Sequence, residues 1–300
     1  QTDNIAKEDA YTLALFAQDE IKLLRNLQAL IGVRYIYHEN FKNHATPNVA
    51  LMYKPGKFNF RASYAAGFRT PTLSELYATD IAKKNDRLTI GNLDLKSEKN
   101  NYFSLSAEYV HERFSVSVNA FYNNIRDMID YNTIATGDKA MEQYGHKEVR
   151  QRDNIAEAKV HGINVSANAY LGAGFNLSGG YTHLNTQDVE LGQPIDKSIK
   201  NAYNINAQWA HSWKIYRLNI NLNGRINSKR FSKSYGYAPE YQLWNLNTRH
   251  SFNLKSVIIE PGCGMENLFD YMDDRPYNSN YATLTPGRSF YVSLLVRFKQ

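Results

Sequence analysis

Histidine and tyrosine are the side chains in this sequence with the most versatile binding chemistry. An imidazole nitrogen can ligate a metal directly, and a phenol ring can stack on a flat ligand or ligate through its oxygen. The chain carries eight His and 22 Tyr in 300 residues. His38, His44, Tyr77, Tyr131, Tyr144 and His146 lie in or beside polar stretches and are the candidates for ligand contact. No GxSxG, Walker or HExxH pattern marks a nucleophile, a phosphate loop or a zinc helix, so no catalytic residue and no metal centre is expected. The YMDD at 271–274 has the paired carboxylates of two-metal chemistry, but it follows the strand-ending NLFD and stands alone. The sequons at 164–166 and 176–178 fall within strand-like segments and carry no weight.

What positions these residues is a period of two. Residues 216–228 read YRLNINLNGRINS, which puts Leu218, Ile220, Leu222, Gly224 and Ile226 on one face. Asn219, Asn221, Asn223, Arg225 and Asn227 fall on the other. A helix would scatter those asparagines around its axis, whereas a strand collects them on one side. Phe114, Val116, Val118 and Ala120 repeat the pattern, as do Tyr203, Ile205, Ala207 and Trp209, and then Phe290, Val292, Leu294, Val296 and Phe298. Composition agrees. Aromatics make up 13% of the chain, mean hydropathy is −0.54, and no apolar run reaches the length of a membrane helix. One cysteine excludes an intramolecular disulfide framework, and a net charge of +6 without a basic run gives no sign of nucleic-acid binding. An aromatic-rich, alternating, hydrophilic chain fits a transmembrane β-barrel, whose lipid-facing and lumen-facing residues cancel in a hydropathy average.

Strand length and connection rhythm separate a membrane barrel from a soluble sandwich. Several strands run to about ten residues, which suits a tilted bilayer span. Short turns near 24–26, 54–57, 111–113, 171–174, 213–215 and 255 alternate with longer polar loops near 38–46, 69–98, 132–155, 186–199, 229–239 and 271–286. That is the expected alternation of periplasmic turns and extracellular loops. Thirteen antiparallel strands result, near 10–23, 27–37, 47–54, 58–68, 99–110, 114–131, 156–170, 175–186, 202–212, 216–228, 240–252, 256–269 and 287–298. Bacterial single-chain barrels close with an even number, and Gln1 is not a start methionine, so a C-terminal piece of a larger barrel is expected. Tyr11, Tyr35, Tyr64, Tyr109, Tyr181, Tyr203 and Trp209 fall on apolar faces and suit interfacial girdles.

Five boxes in order then resemble the TonB-dependent outer-membrane receptors. Residues 64–77, YAAGFRTPTLSELY, resemble the family's aromatic-Arg-x-Pro strand end with Phe68, Arg69 and Pro71. Residues 91–99, GNLDLKSEK, resemble its Asn-Pro-Asp/Asn-Leu box through Asn92, Asp94 and Leu95, with Leu93 and Ser97 where prolines are usual. FYNNI at 121–125 and NIAEAKVHG at 154–162 are similar to further elements. The finish, with Asn267, Leu268, Phe269 and Asp270, then Gly287, Arg288 and a strand ending at Phe298, is similar to the C-terminal signature. These residues read as scaffold, stopping strands and shaping turns.

The resemblance implies a barrel of twenty-two strands around an N-terminal plug, of which this chain, residues 1–300, holds the last thirteen strands and no plug. It implies an outer-membrane receptor that binds a scarce metal chelate or cofactor (heme, cobalamin or a ferric siderophore) and imports it with energy transmitted by the TonB–ExbB–ExbD complex through the plug. Outer-membrane lipid, a small-molecule ligand and a surface lipoprotein are the implied partners. No cofactor is covalently implied. Some heme and hemoglobin receptors of the family place a histidine between the first two boxes, and residues 72–91 contain none. A passive porin and an outer-membrane enzyme are the alternatives. The porin would lack the ordered boxes, and the enzyme would need an outward-facing Ser–His pair that is not found.

Overall fold

The computed structural model describes residues 9–83, 85–154, 157–233, 235–273 and 282–299. In chain order β1 (Thr12–Leu24), β2 (Leu27–His38), β3 (Lys42–Tyr53) and β4 (Phe58–Arg69) lead into α1 (Leu73–Tyr77), β5 (Thr79–Ala82) and β6 (Arg87–Ile90). Then come β7 (Glu98–Val110), β8 (Phe114–Arg126), β9 (Ile129–Thr136), α2 (Gly137–Tyr144) and β10 (Glu148–Asn154). β11 (Ala158–Gly172), β12 (Phe175–Asp188), β13 (Asn201–Trp213) and β14 (Tyr216–Asn227) follow. The chain finishes with β15 (Arg230–Ser232), β16 (Gly236–Ala238), β17 (Tyr241–Asn253), β18 (Val257–Glu266) and β19 (Ser289–Phe298).

Thirteen of these strands form one antiparallel sheet, ordered β1-β2-β3-β4-β7-β8-β11-β12-β13-β14-β17-β18-β19, and the expected number of spanning strands is met. Register carries each face unbroken from strand to strand. Leu177, Ala207, Leu222, Leu246, Met265 and Phe290 form one continuous apolar row. The adjacent row on the other face runs Gln208, Asn221, Asn247, Gly264 and Tyr291. Side chains on the polar face bond across strands, as in Ser63–Ser104 at 2.6 Å, Ser117–Ser166 at 2.8 Å and Asn206 Nδ2 to Asn223 Oδ1 at 2.5 Å. The apolar face has no such cover. Val292 is 84% exposed and Phe298 83%, a surface that would drive aggregation in water and is at home in lipid.

All seven girdle aromatics lie on the apolar face, in two bands. Tyr64 meets Phe103 at 4.8 Å and Tyr181 stacks on Tyr203 at 4.7 Å toward the long-loop end. Phe58 and Tyr109 at 4.9 Å, and Trp213 on Tyr216 at 5.5 Å, mark the short-turn end. Amphipathic rings at both interfaces are what a bilayer selects. The β11–β12 turn shows how tight the short connections are. Ala173 and Gly174 both take positive φ, at 49° and 87°, as a two-residue mirror-image hairpin turn requires. A Cβ at Gly174 would also run into the Ala210 carbonyl, so this position admits only glycine.

Several strand ends and loops depart from the sequence expectation, the loop expected at 229–239 among them, since it holds β15 and β16. The loop placed at 38–46 is only a three-residue connection, so long and short connections do not strictly alternate: β3 begins at Lys42 and runs through Pro47. Pro47 pairs with Val33 of β2, while pairing with β4 starts only at Asn48. A residue without an N–H is tolerated there because its other side has no ladder to complete. β8 ends at Arg126 rather than 131, where Asp127 at φ 55° turns the chain. β18 ends at Glu266 rather than 269, with Asn267 at φ 52° and Asp270 at φ 55°. The region 69–98, expected as a loop, contains a helix and two strands, and the region 132–155 contains most of β9, α2 and β10. Ile155 and Ala156 of the fourth box, Asp274 of the YMDD, and residues 274–281 of the last polar loop lie outside the described residues.

Candidate ligand-facing site on the loops

Two long loops fold together at one end of the barrel. β5 and β6 come from the loop after β4, β9 and β10 from the loop after β8, and they make one sheet in the order β5-β6-β10-β9. β6 and β10 pair in parallel from Arg87↔Glu148 to Ile90↔Gln151. His146 Nδ1 and Asp86 Oδ1, 2.8 Å apart, clasp the loops at one corner, and the Lys147 amide donates to the Asp86 carbonyl at 3.0 Å. Beneath this sheet Leu76, Leu95 and Ile129 form a small buried cluster with Phe41 packed against it.

The scaffold boxes hold the base of this assembly. The Arg69 guanidinium donates to both oxygens of Glu98 at 2.8 and 2.6 Å and to Glu75 at 2.8 Å. Glu98 also accepts from the Ile129 amide at 2.8 Å, tying β7 to β9. Pro71 is buried, and Thr72 caps α1 in a reciprocal box with Glu75. Asn92 accepts from the Asp94 amide at 2.9 Å, which bends the chain so that Leu95 is buried. Asn154 accepts from the Lys96 amide at 2.7 Å and donates to the Asp127 carbonyl at 2.6 Å. At the last loop Asn267 is 1% exposed, and Asp270 accepts from the Arg288 amide at 2.6 Å beside Gly287. Leu268 donates through its amide to the Trp244 carbonyl, and Phe269 packs edge-on against the Trp244 ring.

The six candidate ligand contacts do not share one place. His44 stacks on Phe68 at 4.1 Å and, with Tyr77, lines a cleft of about 600 Å³ that Lys99 and Asp127 also border. Its Nε2 is shielded from solvent and has no hydrogen-bond partner among the described residues. His38, at the end of β2, accepts from the Asn40 amide at 3.2 Å and leans on Phe41. Tyr131 lies under the Arg152 guanidinium, 3.6 Å from ring centroid to Cζ, and accepts a hydrogen bond from it at 2.5 Å. Tyr144 closes α2, and His146 is held by Asp86. Sequence reasoning missed Glu75, Glu98, Asp86 and Arg152. The Thr-x-x-Glu spacing of Thr72 and Glu75 is a readable capping signal, whereas nothing local joins Asp86 to His146 or Tyr131 to Arg152.

Electrostatics favour the clasped state at neutral pH. Burial is the largest influence on Glu75 and raises its pKa, but the Arg69 guanidinium and the Thr72 amide and hydroxyl together hold it below the ordinary 4.5. The hydrogen bond from His146 lowers the Asp86 carboxyl below 3.8, against a smaller opposing effect of burial. A carboxylate with a depressed folded pKa contributes stability above its unfolded value and loses it as pH falls through the folded one. Pepsin cleavage of the loops should therefore rise as pH drops below 4.5, and Glu75→Gln should remove part of that dependence. His146→Ala should speed cleavage of both loops together at neutral pH, measured with any protease. Cleavage of one loop alone would show that they do not act as a unit.

Comparison with known proteins gives the same architecture. Residues 1–268 match the family described as TonB dependent receptor-like, beta-barrel. The ferric enterobactin receptor of Pseudomonas aeruginosa is 23% identical over 98% of this chain and 43% of its own length. Hemoglobin-binding protein A of Haemophilus influenzae is 24% identical over 93% of the chain and 32% of its own length. The crystal structure of the siderophore receptor PirA from Acinetobacter baumannii superposes with a TM-score of 0.75 at 17% identity, covering 99% of this chain and 48% of that one. The chain thus spans less than half the length of these relatives. A two-faced sheet with lipid-suited girdles and a family match over 268 residues lead to one conclusion: this chain belongs to the TonB-dependent receptor β-barrels of the bacterial outer membrane.

Proposed function

We propose that residues 1–300 are the C-terminal barrel portion of a receptor that binds a ferric siderophore and imports it with energy delivered through TonB. On this reading the thirteen strands are the last of twenty-two, and the remaining length supplies the other strands and a luminal plug. The observation that carries the reading is the folded loop end. Two loops joined in one sheet, pinned by Arg69–Glu98, Asn154 and Asp86–His146, give a preorganised surface, whereas a passive pore needs only an unobstructed mouth. A siderophore is favoured over heme by the histidines. The heme receptors that the boxes resemble include ones with a histidine between the first two boxes, and residues 72–91 of this chain contain none. The relatives include a ferric enterobactin receptor and a hemoglobin-binding protein, and cobalamin is a further outcome of the test.

The test is spectroscopic. Full-length protein extracted from its native membrane and titrated with iron-loaded catecholate or hydroxamate siderophores should bind one of them, seen as a saturable change in its charge-transfer band. A Soret band in the extracted protein would make heme the ligand, corrin bands would make it cobalamin, and either would overturn the siderophore assignment.

A further inference from the structure

The luminal wall at the short-turn end carries an unbalanced positive cluster. Arg217 of β14, Arg249 of β17 and Arg297 of β19 share the polar face, with Lys214 in the adjacent turn, around a cleft of about 450 Å³. Four cations thus surround one carboxylate, Glu260, which is buried and bonded to Arg297 at 2.6 Å. Arg217 and Arg249 form no ion pair among the described residues. The wall between them is otherwise neutral, with Asn219 paired to Arg249 in register. Three guanidiniums on one concave wall repel one another and draw anions, and their planar forks match carboxylates. If the lumen is filled, leaving Arg217 and Arg249 desolvated without counter-charge would be costly.

We infer that this cluster is a dock for an acidic segment of the same protein's remaining length, with Asp or Glu carboxylates seated on Arg217 and Arg249. The inference rests on the plugged-receptor reading above and adds the side chains that hold the plug at its periplasmic end. The charge balance, +3 over the five side chains, fixes the sign of the occupant. The length of the relatives beyond the matched region makes such a segment available.

The test uses the full-length receptor in outer membranes. Arg217→Gln/Arg249→Gln should release the plug enough to raise pore conductance and sensitivity to a large glycopeptide antibiotic several-fold, while the barrel keeps its heat-modifiable mobility. A photo-crosslinker placed at Asn219 should capture a peptide from the region preceding this chain with Asp or Glu at the point of attachment. Capture of a segment without acidic residues, absence of capture, or a double variant that stays closed would overturn the dock and leave the receptor reading standing. The same holds for a variant that loses ligand uptake yet stays closed, since the cluster would then serve the passing ligand. A wild-type protein that is itself open would overturn the plugged-receptor reading instead.

Discussion

Leu222→Arg should cost the barrel about 2–4 kcal/mol of folding stability in a bilayer, the range for a charge placed on the lipid face near the midplane. Leu222 sits halfway along β14, between Ala207 and Leu246 in register on the apolar face. Gln208→Arg is the matched control. Gln208 is as central, on the opposite face, next to Asn221 in register, where a guanidinium remains in a polar lumen. That substitution should stay within about 1 kcal/mol of wild type. Urea titration of the full-length protein in lipid vesicles, read by the heat-modifiable gel shift, measures both. Equal costs would mean that the two faces see the same solvent, which is the soluble-sandwich alternative.

Asn267→Ala should destabilise the last loop and its strand junction by about 3–4 kcal/mol, because a buried polar staple and a backbone preference go together. The side chain is fully buried and donates to the Tyr271 carbonyl at 2.7 Å and the Pro286 carbonyl at 3.1 Å. It also accepts from the Tyr271 amide at 2.9 Å. Alanine removes these three hydrogen bonds and is less at ease than asparagine at φ 52°. Asn267→Asp keeps the acceptor and the conformation but loses both donated bonds, and should fall between the two. Protease mapping of the junction, together with the urea midpoint, separates a local loss from a global one. An alanine variant as stable as wild type would remove the staple from the account.

The strands were legible because their information is local. In β14 and β19 each residue declares its face by type, and the register follows once one face is apolar. The same logic misplaced strand ends. A strand to 131 was expected, although Ile129 and Tyr131 are one residue out of phase with the apolar positions 114, 116, 118, 120 and 122. Left-handed Asp127 instead turns Ile129 into the cluster with Leu76 and Leu95. Pro47 reads as a strand start, yet β3 runs five residues further back because proline is harmless where β4 does not pair.

For the site, the boxes drew attention to Arg69, Asn92, Asn154, Asn267 and Asp270, and the structure gives each a hydrogen-bond partner. Their partners were not legible, nor was the loop sheet. β6 and β10 are short, mixed in charge and about sixty residues apart, and a parallel pair between separate loops leaves no periodic or spacing signal. The histidines and tyrosines were nominated by chemistry alone. The structure turns His146 into a clasp and gives Tyr131 an arginine partner, and it keeps His44 and Tyr77 together at a cleft.

The proposed energised import by a plugged barrel is tested by deleting TonB. Cells carrying the full-length protein as their only receptor for its ferric siderophore should take up iron-labelled ligand when TonB is present. They should keep surface binding but lose uptake when TonB is absent. Uptake that persists without TonB, rising linearly with external concentration, would contradict the claim and make the protein a passive channel.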